Sequence, residues 1–291
     1  MVMSATETSS KAQLEEMVES VGFWWHSIDL GHGVITKGFK TPAILAHEVA
    51  ALRFPDLKDK TVLDIGAWDG FFSFEAERRG AKSVVALDHF VWSIDFPGST
   101  QYLQDCKERE LVPLWGEQSP CWQPSTLPGK RGYDIAHKAL HSKVRTVVGD
   151  FMTMDLEPLG TFDVVFFLGV LYHMENPLAS LRRLASLTKE LAIIETHAIA
   201  IPGYEQTSLC EFYPSDELSK DPSNWWGPNL KALEGMCRAA GFARFEVVHG
   251  SGNIAVRPQR SIFRRLRTAV ESTAPPTTKP HYFRATAHAW K

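Results

Sequence analysis

Four short motifs place acidic, glycine and aromatic residues directly after runs of apolar, β-branched residues. The first motif reads DIGAWDG, in which Asp64 is followed by Gly66, Trp68 and Gly70. Gly66 permits a tight turn, and Gly70 permits close approach of a helix to a strand or to a ligand. Because Trp68 fills a position that a pyrophosphate would need clear, the motif disfavours a dinucleotide.

The second and third motifs supply groups that suit a nucleoside. Asp88, followed by His89, ends the next apolar run, where a carboxylate can accept hydrogen bonds from both hydroxyls of a ribose. In the third motif, GDF, the carboxylate of Asp150 can bind an exocyclic amine, and the ring of Phe151 can cover a purine. Each acid taken alone could instead cap the helix that follows it.

The fourth motif is an apolar run from Asp163 to Leu168 that continues into Gly169 and Tyr172. The four motifs follow one another at the ends of successive predicted strands, and together they describe a nucleoside site without a phosphate cradle. The ligand that this implies is S-adenosylmethionine. The candidate cofactor-binding residues are Asp64, Gly66, Trp68, Gly70, Asp88, His89, Gly149, Asp150, Phe151, Leu168, Gly169 and Tyr172.

Two histidines are the candidate bases for methyl transfer. A sulfonium methyl group is already activated, but a hydroxyl acceptor usually needs a base, since an alcohol is a poor nucleophile until its proton is leaving. His173 is the first candidate, because an imidazole titrates near neutral pH. His197 is the second, with Glu195 on the same strand face to orient and polarise its ring. A purely structural role, such as helix capping by His173, is the alternative.

A divalent metal is another source of activation. His26, Asp29 and His32 form an H-x-x-D-x-x-H pattern in an aromatic, glycine-rich segment, where they could ligate an ion or offer a base on a lid. A bound Mg²⁺ would acidify vicinal sugar hydroxyls. Oxygen ligands for it could also come from Glu211, Asp216 and Asp221.

Tryptophans outside the predicted core strands suggest how an acceptor is held. Trp24, Trp25, Trp225 and Trp226 lie in irregular segments, and aromatic rings at the mouth of a pocket can stack on sugars or planar rings. Ordinary packing of these segments onto the sheet is the alternative. The candidate substrate-binding residues are Trp24, Trp25, His26, His32, Lys40, Glu211, Tyr213, Trp226 and Arg284.

The composition is that of an ordinary globular protein. The chain has 291 residues, 44% hydrophobic and 22% charged, which excludes a disordered, collagenous or disulfide-scaffold protein. A net charge of −3 provides no global cationic field for nucleic acid. We expect reduced cysteines and a cytoplasmic protein without a membrane partner, since no signal peptide or membrane-length apolar stretch is present.

Alternation of apolar runs with helical patterns from Thr61 onward predicts an α/β fold with a doubly wound, mostly parallel seven-stranded sheet. Residues 1–60 are predicted to form a helical and aromatic lid segment, and residues 61–291 the domain that carries the motifs. An insertion at about 91–142 is interpreted as a lid or a homodimer contact. Residues 253–291 are basic, as a solvated helix face or a nucleic-acid contact would be.

The ordered motifs DIGAWDG, ALDH, GDF and FDVVFFLGVLYH resemble those of class I S-adenosylmethionine methyltransferases. More narrowly, LGVLYHMENPLASLRRL and the following IIET resemble the family that includes the bacterial tRNA wobble-uridine (carboxy)methyltransferases and related small-molecule O-methyltransferases. The resemblance implies a Rossmann-like methyltransferase that uses S-adenosylmethionine.

In the tRNA-modifying branch, the resemblance implies carboxy-S-adenosylmethionine, whose additional carboxylate is held by a lysine, a tyrosine and an arginine. Tyr172 matches the tyrosine, Arg284 is the match for the arginine, and Lys40 is a candidate for the lysine. The segments Phe23–Lys40 and Val91–Ser142, and the stretch FYPSDELSKDPSNWWGPN, depart from that branch. The sequence therefore favours ordinary S-adenosylmethionine and a hydroxyl of a small molecule, such as a sugar or glycoside, over tRNA. A catalytically silent protein with the same fold is a third hypothesis.

Overall fold

The structure, a computed structural model, describes residues 11–250 and 279–291. Helices and strands alternate along most of this part of the chain, as the spacing of apolar residues predicts. The α-helices are α1 (Lys11–Glu19), α2 (Pro42–Leu52), α3 (Phe71–Arg78), α4 (Phe96–Glu108), α5 (Arg131–Ala139), α6 (Pro177–Leu187) and α7 (Leu230–Ala239). The strands are β1 (Thr61–Ile65), β2 (Ser83–Asp88), β3 (Arg145–Val148), β4 (Phe162–Leu168), β5 (Thr188–Ala200), β6 (Cys210–Phe212), β7 (Trp226–Pro228), β8 (Arg244–His249) and β9 (His281–Trp290).

Seven strands form the main sheet, in the order β3-β2-β1-β4-β5-β9-β8. Strand β1 pairs in parallel with both β2 and β4, and β2 pairs in parallel with β3. Strands β8 and β9 pair antiparallel. The predicted fold class, a doubly wound and mostly parallel sheet, is confirmed. In such sheets ligands bind beyond the carboxyl ends of the strands where the strand order reverses, which here is between β1 and β4.

The chain divides into two compact units. The first runs as far as Leu168 and includes Ser186–Leu191, and the second comprises Gly169–Ala185 and continues from Ala192 to the C-terminus. The predicted domain boundary at residue 60 and the predicted lid roles of residues 1–60 and 91–142 stay predictions. Most of the predicted basic segment lies outside the described residues.

The central strands of the first unit are buried because their sequences are continuous apolar runs, which is typical of parallel strands covered on both faces. Val62, Leu63 and Leu87 are fully buried. One buried acid, Asp163, accepts hydrogen bonds from the backbone N–H of Thr61 at 2.8 Å and from Nζ of Lys189 at 2.8 Å. These partners hold the pKa of Asp163 well below its ordinary value, so this carboxylate stabilises the start of β4.

Helix α4 and the β6–β7 pair were not anticipated from the sequence. Helix α4 contains Pro97 and Gly98, which suggest a loop, but Asp95 caps the helix and accepts the N–H of Gly98 at 3.1 Å. A capping acid followed by proline in the first turn begins a helix, since proline there removes no hydrogen bond. Strands β6 and β7 have only 3 residues each, too few to show a period.

Candidate active site

The first motif forms the turn that leads from β1 into α3. Gly66 and Gly70 have φ values of +81° and +87°, and Trp68 between them has a φ of +50°. A Cβ atom at Gly70 would lie 2.6 Å from Cε2 of Phe74 and 2.8 Å from Cδ2 of Tyr133, so close packing requires glycine there. Because Trp68 has a side chain, this left-handed conformation is about 1–2 kcal/mol less favourable than an ordinary backbone conformation. We call residues 66–70 the cofactor turn, after the role that the sequence predicts for them.

Two buried carboxylates stand at the ends of neighbouring strands. Oγ of Ser73 donates to Oδ2 of Asp64 at 2.6 Å, and burial raises the pKa of Asp64 to about 7. Asp88 accepts the N–H of Trp68 at 2.9 Å and the N–H of Val91 at 3.2 Å, and burial raises its pKa to about 6. A carboxylate has about four acceptor positions, and those of Asp88 that the backbone N–H groups leave open are available to a ribose hydroxyl.

The third motif lies beside Asp88, because the N–H of Gly149 donates to the Asp88 carbonyl oxygen at 3.2 Å. Asp150 accepts the N–H of Met152 at 2.8 Å and thereby shapes the following turn. Phe151 is buried against Phe167, with 5.6 Å between ring centroids, so its ring is part of the core. The structure therefore brings the first three motifs together in the first unit.

His89, another predicted cofactor residue, directly follows the end of β2. Its half-buried ring meets the ring of Trp122 edge to face, with 5.4 Å between centroids. Leu168 is half-buried and ends β4. Both stay predictions as cofactor contacts.

In the second unit, Tyr172 lies against the guanidinium of Arg284, whose central carbon is 4.7 Å from the tyrosine ring centroid. Nε of Arg284 donates to Oε1 of Glu195 at 2.5 Å, and Nη2 makes a short hydrogen bond to the other carboxylate oxygen. Gly169 lies beside this group: its N–H donates to the Glu195 carbonyl oxygen at 2.9 Å. Burial raises the pKa of the Tyr172 phenol, so it stays protonated at neutral pH.

The predicted pairing of Glu195 with His197 is wrong. Residues two apart on a strand share a face, but the planar fork of Arg284 takes both carboxylate oxygens of Glu195. His197 instead lies 2.9 Å, through Nε2, from the hydroxyl of Tyr213, which donates to Glu211 at 3.1 Å. Burial lowers the pKa of His197 to about 4, which makes its imidazole a weak base.

His173 has the geometry of an oriented base. Its Nδ1 lies 3.1 Å from the carbonyl oxygen and 3.0 Å from the hydroxyl of Ser223. That hydroxyl donates its own proton to Asp221 at 2.6 Å. Because both Ser223 oxygens then act as acceptors, Nδ1 carries the proton and Nε2 keeps the lone pair. Burial lowers the pKa of His173, so the neutral ring is the populated form at pH 7.

The H-x-x-D-x-x-H pattern does not converge on one point. His26 is buried and forms a short hydrogen bond to Asp69, whereas His32 is exposed at a turn with a φ of +54°. Asp29 accepts the N–H of Gly31 at 2.9 Å. Within residues 11–250 and 279–291, no three His, Cys, Asp or Glu side chains are placed to hold a metal ion, and the Mg²⁺ hypothesis is not supported.

The remaining predicted substrate residues lie in different settings. Trp24 is buried and donates from Nε1 to the carbonyl oxygen of Val18 at 3.1 Å. Nζ of Lys40 lies 2.8 Å from Glu48 and 5.5 Å from the ring centroid of Trp25. Trp226 donates to the carbonyl oxygen of Glu175 at 3.1 Å.

Sequence reasoning missed three residues that the structure places in these clusters. Asp69 accepts hydrogen bonds from backbone N–H groups of the N-terminal segment, and Ser223 orients His173. Tyr282 donates to Glu211 at 3.2 Å. The partners are far apart along the chain, so no local spacing identifies them. Asp221 was considered only as a metal ligand.

The fold is that of a class I S-adenosylmethionine-dependent methyltransferase. More particularly, residues 40–247 match the family model Methyltransf_23, a methyltransferase domain, and the chain belongs to that family. None of the described helices is both long and apolar enough to cross a membrane.

Several named proteins are similar to this chain. The tRNA U34 carboxymethyltransferase of Actinobacillus succinogenes is 25% identical over 211 residues, which cover 72% of this chain and 51% of that protein. Its counterpart in Helicobacter pylori strain G27 is 28% identical over 192 residues, which cover 66% of this chain and 59% of that protein. The chain thus spans little more than half the length of these relatives.

Among solved structures, the N-terminal domain of EvdMO1 with SAH bound has a TM-score of 0.59 and 16% identity, over 99% of each chain. The same domain in the presence of SAH and D-fucose has a TM-score of 0.58. At this identity the similarity concerns the fold alone.

Proposed function

We propose that this protein transfers a methyl group from S-adenosylmethionine to a hydroxyl oxygen of a small, neutral acceptor such as a sugar or glycoside. One observation carries the proposal: Nδ1 of His173 lies against the carbonyl oxygen and the hydroxyl of Ser223, which assigns the proton to Nδ1 and leaves the lone pair on Nε2. A hydroxyl oxygen becomes a competent nucleophile as such a base removes its proton. The same arrangement would be superfluous for an acceptor that is already deprotonated.

Residues of the first unit would hold the cofactor. Asp88 would accept the ribose hydroxyls, and Gly66, with a φ of +81°, would let the cofactor approach the end of β1 closely. S-adenosylmethionine supplies a methyl group already activated on a sulfonium sulfur. In the second unit, Nε2 of His173 would accept the proton of the acceptor hydroxyl.

The charged side chains around Arg284 favour a neutral acceptor. The cation of Arg284 is already paired with Glu195, and Glu211 adds a further carboxylate, held by the hydroxyls of Tyr213 and Tyr282. This group therefore offers phenols and carboxylates, which hydrogen-bond to hydroxyl groups. A polyanion such as RNA would meet no surplus of positive charge from these five residues.

The first test is calorimetry of the purified protein with S-adenosylmethionine, S-adenosylhomocysteine and carboxy-S-adenosylmethionine. Preference for ordinary S-adenosylmethionine, followed by labelled methyl transfer to sugars and glycosides, would support the proposal. Absence of binding to all three ligands would exclude a methyltransferase activity.

A second candidate function is (carboxy)methylation of the tRNA wobble uridine with carboxy-S-adenosylmethionine. The names of the curated relatives favour it more directly than they favour a small acceptor. The contact between Tyr172 and Arg284 also supports it, because these are the two residues matched to the carboxylate clamp. In this reading Glu195 would have to share the guanidinium with the cofactor carboxylate.

The same calorimetry separates the two candidates. The second predicts tighter binding of the carboxylated cofactor and loss of that preference in Arg284→Lys, which keeps the charge but removes the fork. It also predicts tRNA affinity that falls steeply with salt. If the wild-type protein and Arg284→Lys both bind the two cofactors with equal affinity, the second candidate function is excluded.

A further inference from the structure

Two consecutive residues near the N-terminus hold two consecutive residues of the cofactor turn. The ring of Trp25 stacks on the ring of Trp68, with 4.7 Å between centroids and 5° between planes. The carboxylate of Asp69 accepts the backbone N–H of Trp25 at 3.1 Å and that of His26 at 2.7 Å. Nδ1 of His26 makes a further, short hydrogen bond to the other oxygen of Asp69.

The stacking contact involves Trp68, the non-glycine residue of the cofactor turn that has a left-handed backbone conformation. Trp68 has a left-handed conformation, and its N–H donates to Oδ2 of Asp88 at 2.9 Å. Its ring also stacks with that of Phe96, with 5.8 Å between centroids and 6° between planes. Contacts that restrain the Trp68 ring therefore also restrain the Trp68 backbone N–H, which donates to the Asp88 carboxylate.

The second contact, between Asp69 and the N-terminal segment, consists of hydrogen bonds to a buried carboxylate. Asp69 and His26 are 3% and 5% exposed, and a buried carboxylate is costly unless its oxygens receive hydrogen bonds. The N-terminal segment supplies three of them. The cofactor turn therefore reaches this arrangement only when the segment is docked on it.

We infer that Trp25 and His26 are positioning residues for S-adenosylmethionine, acting through Trp68 and Asp69 on the cofactor turn and on Asp88. Both precede residues 40–247, which match the methyltransferase domain, so cofactor affinity depends on a segment outside that domain. This inference rests on the cofactor site given under the proposed function.

The test is calorimetric titration of the full chain with S-adenosylhomocysteine. Trp25→Leu should weaken binding about three- to tenfold, because a leucine cannot stack on the Trp68 ring. Trp25→Phe keeps a ring on Trp68 and should restore most of the affinity. Val34→Ala is the matched control, since it removes buried apolar volume from the same segment and leaves Trp25 and Asp69 unchanged.

Asp69→Asn is a second, independent variant. An amide can keep its oxygen on the two backbone N–H groups and donate to Nδ1 of His26 only if that imidazole moves its proton to Nε2, and it loses the charge that strengthens all three hydrogen bonds. We expect weaker S-adenosylhomocysteine binding and a change in the near-ultraviolet circular dichroism of the stacked tryptophans.

Three outcomes are distinguishable. Weaker binding in Trp25→Leu and Asp69→Asn, rescue in Trp25→Phe and unchanged binding in Val34→Ala would support the inference. Wild-type affinity in both test variants, or an equal loss in Val34→Ala, would overturn it. If the wild-type protein itself does not bind S-adenosylhomocysteine, the cofactor site is wrong and the inference falls with it.

Discussion

Arg284 holds Glu195 through two hydrogen bonds from one edge of its guanidinium, with 2.5 Å between Nε and Oε1. The ring of Tyr172 lies against the same guanidinium. The three side chains therefore form one charge-balanced group in the second unit. Any anionic ligand that uses Arg284 has to compete with a carboxylate of the protein itself.

Loss of the Glu195 charge should destabilise the protein. Glu195→Gln removes one of the two charged partners while keeping the shape of the side chain, and we expect a loss of about 1–2 kcal/mol, since Arg284 is partly exposed to solvent. Urea unfolding measures this change. Glu246→Gln is the control, because its pair with Arg244 is more exposed on both sides and should contribute less. Equal losses in the two variants would contradict the prediction.

His173→Ala should lower turnover without weakening cofactor binding. Removal of a general base costs about 10²- to 10⁴-fold in rate, whereas S-adenosylhomocysteine should bind as in the wild type. His141→Ala, at an exposed turn outside the candidate site, is the control. If turnover in His173→Ala is unchanged, the base lies elsewhere and His197→Ala becomes the variant to test.

The pH dependence of turnover should reflect the same histidine. Burial lowers the pKa of His173 below 6.5, so the neutral, proton-accepting ring persists to a lower pH than for an exposed histidine. Turnover should therefore stay level as the pH falls through 6.5 and decline only below it. A decline that begins above neutral pH would exclude His173 as the base.

Cofactor affinity should weaken in mild acid because of Asp88. Burial raises its pKa to about 6, and protonation would replace an acceptor position with an O–H donor. We expect the dissociation constant of S-adenosylhomocysteine to rise as the pH falls through about 6. Asp88→Ala should weaken binding at least about tenfold at neutral pH, where charge-assisted hydrogen bonds are lost, and should remove this pH dependence.

Folding stability should depend on pH through Asp64. Its pKa is about 7 in the folded protein and 3.8 in an ordinary environment, so between these values the folded state holds a proton that the unfolded state has lost. The free energy of unfolding should therefore fall as the pH rises from about 4 to about 7, by up to about 1.4 kcal/mol per pH unit from this group.

Asp64→Asn isolates this contribution. An asparagine does not titrate but can still accept the hydrogen bond of Ser73, so its stability should fall less steeply over the same interval. Urea unfolding at several pH values compares the slopes. Asp56→Asn, at an exposed position, should retain the wild-type slope. Parallel slopes for Asp64→Asn and wild type would refute the assignment.

Turnover should not require a divalent metal. The described residues contain no group of three metal-ligating side chains, and His26 is engaged by Asp69. We expect full activity in EDTA once an acceptor is known. Inhibition by EDTA that added Mg²⁺ reverses would restore the metal hypothesis.

The sequence by itself determined the fold class and the location of the cofactor motifs. Continuous apolar runs predict buried parallel strands, and carboxyl ends of such strands share one edge of the sheet, so Asp64, Asp88 and the motif at Gly149 had to meet. The elements that it did not reveal, α4 and the β6–β7 pair, either begin with proline and glycine or are too short to show a period.

Only the tertiary structure decided which side chains act together. Glu195 pairs with Arg284 across 89 residues, His173 with Ser223 across 50, and Asp69 with His26 across 43. Local spacing placed Glu195 and His197 on one strand face. In the structure, however, Glu195 bonds to the guanidinium of Arg284, and His197 bonds to the hydroxyl of Tyr213. Spacing along a strand fixes the direction of a side chain, whereas hydrogen-bond geometry between distant segments fixes what it bonds to.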